Sequence, residues 1–144
     1  MEAKVVVRRY AEAVDSDRGS LRFVDTWLTP DFKCHAPGST EPLDVAAFKE
    51  MVRPFFAGFS DMRHEILHLV AEGEFVALTT RLSLVHTGEF MGVKPTGRRV
   101  VVDEMGLFRV RDGRIAEEWF VYDSAALLQQ IGGTVAPTVA AGGR

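Results

Sequence analysis

The chain has 144 residues, 47% of them apolar, enough for one domain with a single core and too apolar for a disordered chain. A net charge of −3 lacks the broad positive field that nucleic acid binding needs, and the lone cysteine, Cys34, excludes an intrachain disulfide and any zinc site built from several thiolates. The N-terminus carries no apolar h-region, and the longest uncharged stretch, Ser124–Gly143, is broken by Gly, Gln and Pro, so a cytoplasmic chain without a membrane span is expected.

Val6, Tyr10, Ala13 and Val14 stand at i, i+4, i+7 and i+8, which predicts a first helix over Lys4–Val14. Asp15-Ser16-Asp17-Arg18-Gly19 breaks it. Ser20 is a cap for a short second helix that buries Leu21, Val24 and Leu28 and stops at Thr29-Pro30. A short strand over Phe32–Ala36 runs into Pro37-Gly38. Asp44 then caps a third helix, with Phe48, Val52, Phe55, Phe56 and Phe59 on one face and a kink expected at Pro54. Phe75–Val85, Arg99–Val110 and Arg114–Tyr122 are rich in Val, Leu, Thr and aromatics and read as strands. Asp112-Gly113 is a tight hairpin turn, and Met91–Gly97 is a loop. Asp123 caps a last helix, Ser124–Ile131, which Gly132-Gly133 ends. Residues 1–132 form one domain, and 133–144 read as a flexible tail. Helices followed by antiparallel strands define an α+β fold.

His64-Glu65-Ile66-Leu67-His68 matches the H-E-x-x-H pattern of zinc proteases, which needs both histidines on one helix face. Ala71 and Glu74 stand where the extended pattern has Gly and His. On a strand the two histidines would lie roughly 13 Å apart, too far for one ion. No metal site is expected.

The pieces His35-Ala36-Pro37-Gly38, Phe59-Ser60-Asp61, His68–Gly73, His86–Gly92, Pro95–Arg98, Asp112–Trp119, and Asp123 with Leu127–Gly132 occur in one order and spacing. This set resembles the SnoaL-like polyketide cyclase family of the nuclear transport factor 2-like superfamily. The resemblance implies a cone-shaped barrel: a curved, mostly antiparallel sheet, three N-terminal helices on its concave face and a short C-terminal helix. It also implies that Arg63–Glu72 is a strand, a homodimer, an apolar pocket and no cofactor. The chain departs from the family at Leu84-Val85-His86, where members often read Gly-Thr-His. It also has Thr79 where they often carry Arg, and has Arg81 instead.

The resemblance places the family's acid/base carboxylate on Asp123, with Trp119 on the same strand face as a pocket wall. The residues agree, since Trp119–Tyr122 supply apolar surroundings and burial raises a carboxyl pKa. Capping the last helix is the plain alternative for Asp123. His35 is a second catalytic candidate, or a structural histidine. Tyr10, Trp27, Phe56 and Phe59 are expected pocket walls. His86 lines the cavity mouth or faces water. Arg81 holds a substrate carboxylate, polarises a carbonyl as an oxyanion partner, or pairs at the surface. Glu104 shares parity with Phe108 and Val110, so it faces the cavity if they do, although an outward position is the favoured reading. Glu117-Glu118 reads as a solvated strand end.

The resulting expectation is a cofactor-independent cyclase acting on a small, apolar poly-carbonyl or polycyclic molecule by intramolecular aldol closure. Isomerisation, dehydration, epoxide opening and a non-catalytic binding or dimerisation module stand as alternatives.

Overall fold

The computed structural model describes residues 1–134, so all of the expected tail beyond Thr134 lies outside the described residues. Helix α1 (Ala3–Asp17) turns Val6, Val7 and Tyr10 into the core. It runs three residues past the expected end and stops where Arg18 adopts a left-handed φ of 57°. Asp17 then caps α2 (Arg22–Trp27): its carboxylate accepts the Leu21 and Phe23 N–H groups, while Ser20 Oγ donates to that same carboxylate. The expected cap Ser20 therefore shares the role with Asp17: its Oγ accepts the Arg22 N–H at 3.3 Å, while the carboxylate takes the two N–H groups on either side. Strand β1 (Leu28–His35) begins at once, with Leu28 in the strand instead of on the helix.

Asp44 Oδ1 accepts the Ala47 N–H at 2.9 Å and starts α3 (Val45–Gly58), which continues through Pro54. Phe59 is extended and opens β2 (Phe59–Glu72), so it leaves the helix face on which its spacing placed it. β3 (Phe75–His86), β4 (Arg99–Arg111), β5 (Arg114–Tyr122) and α4 (Ser124–Gln130) follow. At the β4–β5 turn Asp112 and Gly113 both have positive φ, 53° and 75°, the pairing a two-residue hairpin requires.

The sheet order is β1-β5-β4-β3-β2. Only β1–β5 is parallel. β1 and β2 are edges, so the expected α+β cone is a curved, open, mostly antiparallel sheet with helices packed against one face. β3 alternates cleanly: Val76, Leu78, Thr80, Leu82, Leu84 and His86 point to the helices.

Register shifts reverse this alternation, one in β5 and two in β2, the first of which sets Asp61 and Met62 against Leu84 alone. Val110 pairs with Ile115 and Arg109 with Glu117, so Ala116 is an extra residue. Ile66 pairs with Thr80 and His68 with Thr79, so Leu67 is another. Beyond each bulge the side chains change faces. The core has two parts. One lies between α1–α3 and the sheet around Tyr10, Phe23, Phe32 and Phe108. The other packs α4 on Phe59, Leu84, Phe90 and Val100.

Candidate active site

A cavity of about 130 Å³ lies between α1, α3 and the helix-facing side of β2–β5. An apolar cavity near 150 Å³ holds a benzene ring, so the space suits one ring of a ligand. Most of its wall is aliphatic or aromatic, including Phe55, Phe56, Phe108 and Phe120. Gly106 stands on the inward face of β4 between Glu104 and Phe108. A Cβ there would approach Phe108 Cε2 to 2.9 Å, so glycine makes room for the Phe108 ring in this stretch of wall.

Polar groups enter this wall at few points. His64, on β2, is clamped by Asp15 from the last turn of α1. Its backbone N–H donates to Asp15 Oδ2 at 2.8 Å and its Nδ1 to Asp15 Oδ1 at 2.6 Å. Its Nε2 lies 3.2 Å from Glu104 Oε1, which also accepts from Thr80 Oγ1 at 3.2 Å. Burial opposes the imidazolium charge, but the two carboxylates outweigh it and raise His64 to about 10. The imidazole is thus a cation between two anions at neutral pH.

Glu118 lies elsewhere in the same cavity. It is 7% exposed, and Tyr10 Oη donates to its Oε1 at 3.2 Å. Burial, and then the charge on Glu104, pushes its carboxyl up to about 8, against the smaller opposing pull of Tyr10 and His64. Burial and Glu118 also hold the Tyr10 phenol well above its ordinary value. At neutral pH the cavity therefore presents a protonated carboxylic acid, a carboxylate braced by His64 and Thr80, and a phenol.

The SnoaL-like polyketide cyclase model matches residues 4–131. The chain belongs to this family. Two solved structures of Streptomyces proteins resemble it. IdmH of Streptomyces antibioticus, a candidate polyketide cyclase, is 31% identical, with a TM-score of 0.81 over 92% of this chain and 99% of that one. AclR of Streptomyces galilaeus, a candidate hydroxylase, is 27% identical, with a TM-score of 0.80 over 90% and 95%. No curated protein sequence matches the chain. None of its described helices is long and apolar enough to cross a membrane.

Within this SnoaL-like fold the expected site residues separate. Tyr10, Phe56 and Glu104 line the cavity. Glu104 points inward with Phe108, contrary to the outward position favoured for it. Glu118, read as solvated, is buried there too. Phe59 packs in the second core part, and Trp27 packs against the first without reaching the cavity. His86 is neither at a mouth nor in water. It is fully buried, and its Nδ1 accepts the Thr96 N–H at 3.2 Å.

Arg81 is on the outer sheet face, 3.8 Å from Glu65. His35 and Trp119 are also outside. Their rings stack at 4.7 Å, and His35 Nε2 meets Glu117 Oε2 at 2.6 Å. For Trp119 the bulge at Ala116 is the cause, because it turns Glu118, Phe120 and Tyr122 inward and Trp119 outward; His35 faces out by alternation with the buried Phe32 and Cys34 of β1. Asp123 is exposed, and its Oδ1 accepts the Ala126 N–H at 3.0 Å. It is the α4 cap and contributes nothing to the cavity wall. Asp123→Ala is expected to lower stability by about 1 kcal/mol in thermal unfolding, the worth of a helix cap, and to leave cavity chemistry unchanged. A large loss of turnover in a folded Asp123→Ala protein would reverse this placement.

His64 and His68 emerge on opposite faces because Leu67 is the bulge, and His68 Nδ1 instead meets Thr79 Oγ1 at 2.7 Å. The pair cannot share an ion. Asp15, His64 and Glu118 were not read as site residues from sequence. One signal did exist: Val7, Ala11 and Asp15 stand at i, i+4 and i+8, which puts a carboxylate on the cavity face of α1.

Proposed function

We propose that this SnoaL-like protein closes a ring in a small poly-carbonyl molecule by acid/base catalysis, with Glu104 and Glu118 in the roles first expected of Asp123. The observation that supports this is two carboxyl groups in one apolar cavity, Glu118 pushed up by burial and Glu104 held by His64 and Thr80. A carboxyl kept protonated by burial beside a second carboxyl held by His64 suits the acid and base roles. Glu104 takes a proton from a carbon beside a carbonyl. The enolate carbon attacks a second carbonyl carbon of the same molecule. Glu118 gives its proton to the resulting alkoxide oxygen, and the proton on Glu104 returns to Glu118 through solvent. The product is an isomer of the substrate. His64 and Thr80 orient the base, and the aromatic wall folds the chain and excludes water.

A homodimer fits this reading. The outer sheet face exposes Val70, Phe75, Val101, Met105 and Val121, a patch suited to a second copy. Sedimentation equilibrium giving a monomer at micromolar concentration would remove that part.

The test uses aryl ketones and 1,5-diketones in deuterated water, followed by NMR and mass spectrometry. The protein is expected to accelerate deuterium uptake beside the carbonyl and to form a cyclic isomer, and Glu104→Gln to do neither. Absence of accelerated uptake across the panel would overturn the proposal. An ionised and a protonated carboxyl facing one cavity also suit opening of an epoxide by water, a second reading that the gain of one water in product mass would select.

A further inference from the structure

We infer that the cavity is a site for a small hydrophobic organic cation, a ring bearing a protonated amine, with its nitrogen directed to the Glu104 and Glu118 carboxyls. This goes beyond the acid/base reading and does not depend on it, because binding requires no turnover. Three observations converge. The wall contains no Lys or Arg, and its one cation, His64, is already flanked by Asp15 and Glu104. With Asp15, His64 and Glu104 all ionised, the cluster carries one net negative charge before Glu118 is counted. Next, the Oε2 atoms of Glu104 and of the 93%-buried Glu118 accept no hydrogen bond from any described residue. Finally, Tyr10, Phe55, Phe56, Phe108, Phe120 and Tyr122 put aromatic rings in the same wall. Aromatic faces with a nearby carboxylate attract ammonium groups, most strongly when desolvated. An anionic ligand would meet the opposite field.

Binding of the ammonium ion displaces the proton from Glu118 to solvent, and the carboxylate that remains pairs with the nitrogen. The groups facing Glu118 are Tyr10 from α1, the neutral Cys34 thiol from β1, His64 from β2 and Glu104 from β4. Raising the pH toward 8 ionises Glu118 while an alkylamine keeps its proton, so affinity rises with pH over this range.

Titration calorimetry of the full chain at pH 7 with benzylamine, benzyl alcohol and benzoate tests this. Benzylamine is expected to bind at least tenfold more tightly than benzyl alcohol, with no measurable benzoate binding. Its heat is expected to differ between phosphate and Tris by the proton released. Glu118→Gln, with its fold checked by near-ultraviolet circular dichroism, is expected to abolish that release and weaken the amine about tenfold. If the variant does not fold, the wild-type affinity between pH 6 and 8 carries the same information. Equal binding of amine and alcohol, tighter binding of benzoate, or no amine binding overturns the inference. Deuterium uptake without amine selectivity would leave the acid/base reading standing, and amine selectivity without uptake would leave the cation site standing.

Discussion

His64→Leu is expected to destabilise the protein by roughly 3–5 kcal/mol in urea unfolding, the usual consequence of removing one partner from a buried ion cluster. The substitution leaves Asp15 and Glu104 facing each other across an apolar side chain, without the imidazolium that lies 2.6 Å from one and 3.2 Å from the other. It also removes one of the two bonds that tie the last turn of α1 to the edge strand β2, leaving only the backbone N–H of residue 64 on Asp15 Oδ2. The triple variant Asp15→Asn, His64→Leu, Glu104→Gln is expected to recover much of the loss, because no unpaired charge remains. A triple variant as unstable as His64→Leu would mean that packing of the imidazole ring, and not charge, sets the effect. The pH dependence has a definite sign. His64 titrates near 6.5 when unfolded and near 10 when folded, so the native state holds a proton that the unfolded chain releases. Its stabilisation is complete below about pH 6.5 and is lost as the pH rises through 10. Wild-type stability should fall across that window, and His64→Leu should flatten the fall.

The elements of this fold are legible in the sequence because their signals are local. Asp44 caps α3, Asp112-Gly113 closes the last hairpin, and Val, Leu and Thr alternate along β3. β4 is regular between Glu104 and Phe108, so the parity that linked these two residues holds. The site was harder to read because it depends on single-residue insertions, at Ala116 in β5 and at Asp61-Met62 and Leu67 in β2. Parity counted from the buried Ile115 puts Glu117, Trp119, Val121 and Asp123 on the inner face. Ala116 is buried too, and as the bulge it transfers that face to Glu118, Phe120 and Tyr122. Nothing in the order Ile115-Ala116-Glu117-Glu118 marks which residue is extra. The same holds for Leu67, which separates the two histidines of the protease-like pattern. The Asp15–His64 contact spans 49 residues and leaves no local trace beyond a polar residue on an apolar helix face. Family resemblance placed the cavity's acid on Asp123, which the structure makes the cap of the neighbouring helix.

Glu118→Gln is expected to lower the rate of ring closure or of deuterium uptake by roughly 10²–10⁴-fold, the range for loss of a positioned proton donor. The side chain keeps its size and can still accept from Tyr10, so the wall is preserved while the transferable proton is gone. The pH profile separates this from a packing effect. A donor must be protonated to act, so the wild-type rate should fall about tenfold per unit above the apparent pKa near 8. Glu118→Gln should lack that limb, because an amide does not titrate there. Stability moves in the opposite direction. Glu118 titrates near 4.5 unfolded and near 8 folded, so the unfolded state releases a proton that the native state keeps, and wild-type stability declines between those values. Glutamine removes that decline, so the variant should gain on the wild type by a few kcal/mol at pH 9 relative to pH 4. A slower and simultaneously more alkali-resistant protein is the signature of a buried acid retained for its proton. A variant that keeps the wild-type rate and its alkaline limb would assign the proton transfer to another group and leave Glu118 as a structural partner of Tyr10.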